Sequence, residues 1–268
     1  MSNTGKAAAN AAQNSTVFRT LARVGYVVLG VLHILIGVIA ISVSTGSSNE
    51  DADQGGAIQQ IAEAPAGILL LWIIVIGLFA LAIWQIAEAF LERNPDTKKK
   101  WGYRAKFIGT AVAYIAIAIT ALVYAMGGQS DSSQSTQSFS AQLMSTPGGV
   151  VLLVLFGLVI AGIGVAFVVR GFTRAFEKHL SLPAGTTGKG IVTFGIVGYV
   201  AKGIAIGVTG ILFMVAAFTN DPAAAGGLDS ALHSLADLPF GPVILWIVGA
   251  GLILYGLFCF ARARYARM

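Results

Sequence analysis

The most unusual side chain in the sequence is His33, which stands ten residues past Arg23 inside an unbroken apolar run. At 1.5 Å per residue that is about 15 Å into a bilayer, near its midplane. An ionisable group at that depth relays protons or substrate, ligates a metal or haem, or stays neutral and donates one hydrogen bond to a facing carbonyl or hydroxyl. Haem ligation by two histidines fails on position, because His179 and His233 fall in polar loops on opposite sides of the membrane. Lys202 lies about a turn inside another apolar run. Either its stem carries the ammonium out to the interface, or it is a buried cation that needs a partner. Glu88, Arg170 and Arg262 stand near the ends of three further runs and are candidates for a charge pair, with independent snorkelling to headgroups as the alternative. Glu50, Asp51 and Asp53 contain an Asp-x-Asp but lack the glycine and spaced ligands of a calcium loop, so they read as a solvated loop. The four tryptophans, Trp72, Trp84, Trp101 and Trp246, read as interface anchors.

These residues sit on six apolar runs, approximately 21–43, 67–90, 107–126, 149–169, 191–218 and 242–261. Each is long enough to cross about 30 Å of hydrocarbon as a helix. Of 268 residues 56% are hydrophobic and 11% charged, whereas a soluble domain carries about 25% charged residues. Lipid is the solvent that accommodates such a surface. The 33 glycines, mostly inside the runs, suit helices packed closely in a bilayer. Cys259 is the one cysteine, so no intramolecular disulfide is possible. The first run is too long for a signal-peptide core and has no Ala-x-Ala site behind it, so it reads as a retained helix and secretion is not expected.

The loops alternate in charge. All 17 Lys and Arg residues lie at or near the start of run one, the connection between runs two and three, the connection between runs four and five (Lys202 a turn inside run five), or the C-terminus, including Lys6 and Arg93. The other three connections carry acids only. By the positive-inside rule both termini are expected in the cytoplasm, with the chain in the plasma membrane. The net charge of +5 then faces anionic headgroups, and nucleic acid is not an expected partner.

The runs are also periodic. With Tyr26, Phe107 and Tyr199 aligned, Pro65, Pro147 and Pro239 follow 39, 40 and 40 residues later, each with glycine two positions on (Gly67, Gly149, Gly241). A short apolar stripe precedes each proline, at Ile58/Ile61, Leu143 and Leu232/Leu235, and reads as a short amphipathic helix on the outer face. Gly30 matches Gly203, and Gly37 matches Gly210. Three equal spacings mean duplication. The expected fold is an all-α membrane protein: six transmembrane helices as three parallel two-helix repeats, residues 19–92, 101–178 and 191–265, behind a disordered cytoplasmic stretch of residues 1–18. In this register Tyr114 and Ile206 correspond to His33, so a pseudo-threefold site would bring Tyr114 near His33. Glu88, Arg170 and Arg262 share one position, 23 residues after their prolines. The second copy departs most, with Lys106 and Gly109 where the first has Gly25 and Val28.

The segments 26–37, 107–118 and 199–210, each followed by its Pro-x-Gly helix, resemble the repeats of an actinobacterial integral-membrane family of unknown function built of three tandem two-helix units. The resemblance covers residues 19–265 and implies no reaction, cofactor or catalytic residue. The residues add none: the sequence has no Gly-x4-Gly-Lys-Ser/Thr, Gly-x-Gly-x2-Gly, His-Glu-x2-His or Cys-x2-Cys pattern. No cofactor, metal or catalytic group is expected. The leading expectation is a non-catalytic accessory or scaffold subunit whose partners are the bilayer and another membrane protein or a second copy. The alternative is a small-solute or ion permease with His33 at the midplane, and a membrane enzyme or redox carrier ranks third.

Overall fold

The computed structural model describes residues 15–46, 51–92 and 95–267. Residues 1–14 of the expected N-terminal stretch, with Lys6, and also Glu50 and Arg93, lie outside them. Among the described residues nine α-helices follow in order: α1 Thr16–Ser44, α2 Gln54–Glu63, α3 Gly67–Leu91, α4 Thr97–Ala125, α5 Ser132–Met144, α6 Gly149–Phe172, α7 Thr186–Thr219, α8 Gly227–Ala236 and α9 Gly241–Tyr265. Short 3-10 turns at Glu177–His179 and Pro222–Ala225 flank α7. Six of these helices, α1, α3, α4, α6, α7 and α9, are long and apolar enough to cross a membrane. The short helices α2, α5 and α8 precede the three prolines, with Ile58, Ile61, Leu232 and Leu235 buried and Leu143 half-buried.

The Pro-x-Gly step has a common geometry in all three repeats. The middle residue takes a left-handed conformation: φ is 63° at Ala66, 77° at Gly148 and 61° at Phe240. The following glycine amide then donates back three residues, to the carbonyls of Ala64, Thr146 and Leu238 at 2.8, 2.9 and 2.7 Å. This reversal presses Gly67, Gly149 and Gly241 against the last carbonyls of the preceding short helix, at Ile61, Leu143 and Ala236. A Cβ has no room there, which is why the third residue is glycine each time.

The chain divides into two compact units that cut across the repeats. The first comprises the described parts of Met1–Leu29, Gln60–Gln129 and Cys259–Met268. In it α3 packs along α4, Gly25 lies against the Gly77 carbonyl and Leu81, and Phe18 stacks on Trp84 at 6.1 Å. Trp84 is therefore a packed core residue, contrary to its reading as an interface anchor. Trp72, Trp101 and Trp246 are exposed.

The second unit comprises the described parts of Gly30–Gln59 and Ser130–Phe258. Here α6 crosses α7 on glycine. A Cβ on Gly157 would sit 2.7 Å from the Gly210 carbonyl oxygen, and one on Gly164 would sit 2.7 Å from that of Gly203. The upper part of α1 meets α9 in the same way, through Gly37 with Gly249 and Gly30 with Gly256. Such contacts let backbones approach until Cα–H groups face carbonyls, which is how helices associate where no hydrophobic force separates lipid from protein. The pairing follows one rule: the second helix of a repeat packs on the first helix of the next. At the α3–α4 crossing the equivalent positions hold Val75, Ala82, Ala111 and Ala118, all buried. The middle junction thus uses alanine and valine where the other two use glycine.

Candidate functional site

Within the second unit, four transmembrane helices bring ionisable and aromatic groups together. His33 on α1 is 5% exposed, and its Nε2 lies 3.0 Å from Nζ of Lys202 on α7. The Lys202 nitrogen stands 4.5 Å from the ring centre of Tyr255 on α9 and 5.4 Å from that of Phe167 on α6. Tyr255 also packs on the imidazole, ring centres 4.8 Å apart. Two positive charges 3.0 Å apart would repel by about 5 kcal/mol at an effective dielectric of ~20. The pair therefore does not hold two charges, and the contact is a hydrogen bond between the two side chains. The tyrosine and phenylalanine faces would stabilise an ammonium at Lys202 where water is scarce.

Lys202 is thus held inside the bundle rather than carrying its charge to the interface. The partner it needs is the histidine that first drew attention. Tyr114, the register equivalent of His33, lies half-buried on α4 in the other unit. The tyrosine that packs on the pair is Tyr255, which sequence reasoning missed. Its register equivalents are Leu81 and Ile163, so the repeats give no signal for it.

From this pair a ladder of rings leads toward the basic side. Tyr255 meets Tyr199 edge-on at 5.4 Å, Tyr199 stacks on Phe176 at 5.2 Å, and Phe176 meets Phe258 at 5.0 Å. Gly195 makes room for it, since a Cβ there would fall 2.6 Å from the Phe176 ring. The Arg170 guanidinium lies over Tyr199, 5.6 Å from its centre.

Arg170 belongs to the set at one register, and the structure gives both arginines an aromatic counterpart. In the first unit Arg262 sits 4.4 Å over the Tyr26 ring and donates to its hydroxyl at 3.1 Å. Tyr26 and Tyr199 are the aligned first residues of their repeats, so the arginines take tyrosines across the junctions. At the third junction the register pairs Glu88 with Phe107. There the cation over the ring comes from Lys106, 4.7 Å from the Phe107 centre.

On the acidic side the second unit gathers a different group. The sequence reads Asp53 as part of a solvated loop, yet it is 3% exposed. The loop is folded in because the starts of α2, α5 and α8 converge. Gly55 abuts the Ser132 hydroxyl, and the Ala52 amide donates to Asp229 Oδ1 at 2.8 Å. Asp53 caps α2 by accepting from the Gly56 amide at 3.0 Å. Burial pushes its carboxyl up to about 6, with Asp51 and Asp229 adding and the Gly56 and Gly55 amides opposing. Asp51 is raised as well, by burial and then by Asp229 and Asp131, with His233 opposing. His233 Nδ1 stands 3.2 Å from Asp229 Oδ1. Among the described residues, no three His, Cys, Asp or Glu side chains converge as metal ligands.

Comparison with known proteins gives a family. The model of the Domain of Unknown Function DUF1206 matches this chain three times in tandem, over residues 24–92, 105–174 and 197–266. The uncharacterized protein YxxB of Bacillus subtilis (strain 168) is 32% identical over 250 residues, covering 92% of this chain and 90% of that protein. No solved structure matches.

Proposed function

The chain belongs to the DUF1206 family as three tandem copies of its domain, and we propose that it is a non-catalytic accessory or scaffold subunit of a plasma-membrane complex, with both termini cytoplasmic. The observation that carries this reading is the exposed side of α4 in the first unit. In the first and third repeats Gly25, Gly77, Gly198 and Gly251 all lie against neighbouring helices. On α4 the position matching Gly25 and Gly198 is Lys106, which is exposed, and Gly109 near it has open space where its Cβ would be. Only 17% of the spanning window is buried in α4 and in α6, against 50% in α1 and 56% in α3. On α4 the exposed side carries a stripe of small residues, Gly102, Ala105, Gly109, Ala113 and Ala116, flanked by exposed Ile108, Val112 and Ile119. A transmembrane helix of another membrane protein fits that face by the packing that α6 and α7 use on glycine.

A second reading, an ion or small-solute permease, has one observation in its favour: the 3.0 Å His33–Lys202 contact inside the span. The test places a photo-crosslinking residue at Gly109 or Ala113 in the full chain in native membranes, with Leu155, a lipid-exposed position on α6, as the control. One stoichiometric membrane-protein adduct at Gly109 and Ala113, absent at Leu155, is expected. If those sites capture only lipid or the chain itself, the accessory reading falls. Flux through proteoliposomes lost in His33→Ala and Lys202→Met would then establish transport.

A further inference from the structure

Where α6 gives way to α7, on the side of the basic loops, the chain encloses an open-sided cavity of about 530 Å³. Three charged side chains line it, Arg174, Glu177 and Lys189, together with apolar Leu182, Val192 and Ile196. Among the described residues none of these three charges enters an ion pair. Glu177 Oε1 is buried and has no hydrogen-bond partner. One buried carboxylate oxygen without a donor thus lines the same cavity as two exposed cations, so the cavity offers a ligand one unsatisfied acceptor and two open positive charges.

From this we propose that the cavity binds the headgroup of a phosphatidylethanolamine-type lipid, its phosphate on Lys189 and Arg174 and its primary ammonium on Glu177. The site is new to this protein and does not depend on the scaffold reading. Depth fits. The apolar part of α7 starts near Ile191, while its helix starts at Thr186, so the cavity lies at headgroup level. Chemistry fits too. A purely anionic headgroup would satisfy the two cations but leave Glu177 facing a like charge. A choline headgroup has no N–H to donate. A phosphate joined to a primary amine meets all three groups with opposite charge, which a glycerol hydroxyl on a phosphate does not, and the apolar lining suits the start of the acyl chains.

The experiment is native mass spectrometry of the full chain in detergent, offered palmitoyl-oleoyl phosphatidylethanolamine, phosphatidylglycerol and phosphatidylcholine in competition. The wild type should retain the ethanolamine lipid in preference to the other two. Glu177→Gln should reduce that preference about tenfold, the factor of one hydrogen bond to a charged group, while retaining phosphatidylglycerol. The double variant Arg174→Gln, Lys189→Met should lose both. A lipid preference is a ratio within one folded sample, so it survives a change in yield. The proposal is overturned if the wild type prefers phosphatidylglycerol, if it does not distinguish ethanolamine from choline, or if Glu177→Gln leaves the preference unchanged. Displacement of the lipid by millimolar free phosphoethanolamine, as readily as by the lipid itself, would overturn the lipid assignment in favour of a soluble ligand with the same groups.

Discussion

Asp53→Asn is the substitution whose effect follows most directly from the structure. Asparagine caps a helix as well as aspartate does, so the bond from the Gly56 amide has an acceptor in both proteins. What changes is the charge. The Asp53 carboxyl titrates from 3.8 in the unfolded chain to about 6 in the fold. Because the folded value is the higher one, the native state holds the proton more tightly. The stability this gives is complete below about pH 4 and is lost as the pH rises through about 6. A shift of about two units corresponds to about 3 kcal/mol, which is the cost of keeping the carboxylate ionised at the α2–α5–α8 junction above about pH 7. The asparagine variant never bears that cost. Hydrogen exchange of the α2 amides, corrected for the intrinsic rate, reads the local opening free energy directly. At about pH 8 the variant should protect α2 up to about a hundredfold better than the wild type, and near pH 4 the two should coincide. Asp53→Ala, which loses the cap, should be less protected than Asp53→Asn at both pH values, by about 1 kcal/mol. Equal protection of wild type and Asp53→Asn at high pH, or a gap of the same size at both pH values, would refute the argument.

Three further outcomes are expected. Gly210→Val would drive two methyl groups into the Gly157 carbonyl and the Ala161 backbone. Thermal unfolding in detergent should show a loss of about 3 kcal/mol, whereas Ala118→Gly at the matching position of the second repeat should cost about 1. Gly148→Ala meets no atom within 4 Å but imposes a side chain at φ 77°. It should cost about 1 kcal/mol in the same assay through backbone conformation alone. Tyr26→Phe removes the acceptor for Arg262 and keeps the ring beneath it, so about 1–2 kcal/mol should be lost, and Tyr26→Leu should lose more.

The spans and the Pro-x-Gly turns were legible because each is written locally. Apolar runs of membrane length mark the lipid-immersed stretch, and a left-handed residue before a crowded glycine repeats at fixed spacing. What hydropathy underestimates is helix length. The third and fifth runs start at residues 107 and 191, while α4 and α7 start at Thr97 and Thr186. Their first turns are polar, and α4 is begun by Asp96, which caps the amides of Lys98 and Lys99. Hydrogen bonds continue a helix past the point where lipid requires it. Asp53 departs from its sequence reading for a related reason: charge in a loop signals solvation only if nothing folds over the loop, and the convergence of α2, α5 and α8 is a long-range fact.

The pairing of His33 with Lys202 was hidden by the same alignment that revealed the repeats. In register, His33 stands seven residues after Tyr26 and Lys202 three after Tyr199, a difference of about one turn or 6 Å. A lysine stem spans that distance, so two residues at different levels meet while the register directs attention to residues at the same level. The arginine set shows the converse. Its common register was legible, while the aromatic face at the matching position of the next repeat was not looked for.

These departures are not scattered. Lys106 replaces the seam glycine, Val159 replaces Gly77 and Gly251, Phe107 lacks the hydroxyl of Tyr26 and Tyr199, Glu88 stands where two repeats have arginine, and alanine and valine replace glycine at the α3–α4 crossing. All involve the second repeat or the junction by which it joins the first. Duplicated units under the same packing constraint keep the same small residues, as the first and third repeats do at four glycine positions. A unit that has exchanged its seam glycines for a lysine and a valine, and now exposes those positions, is no longer held to that constraint. On the reading proposed above, the second repeat is where a partner would dock, and its α4 face is the part of this fold to probe first.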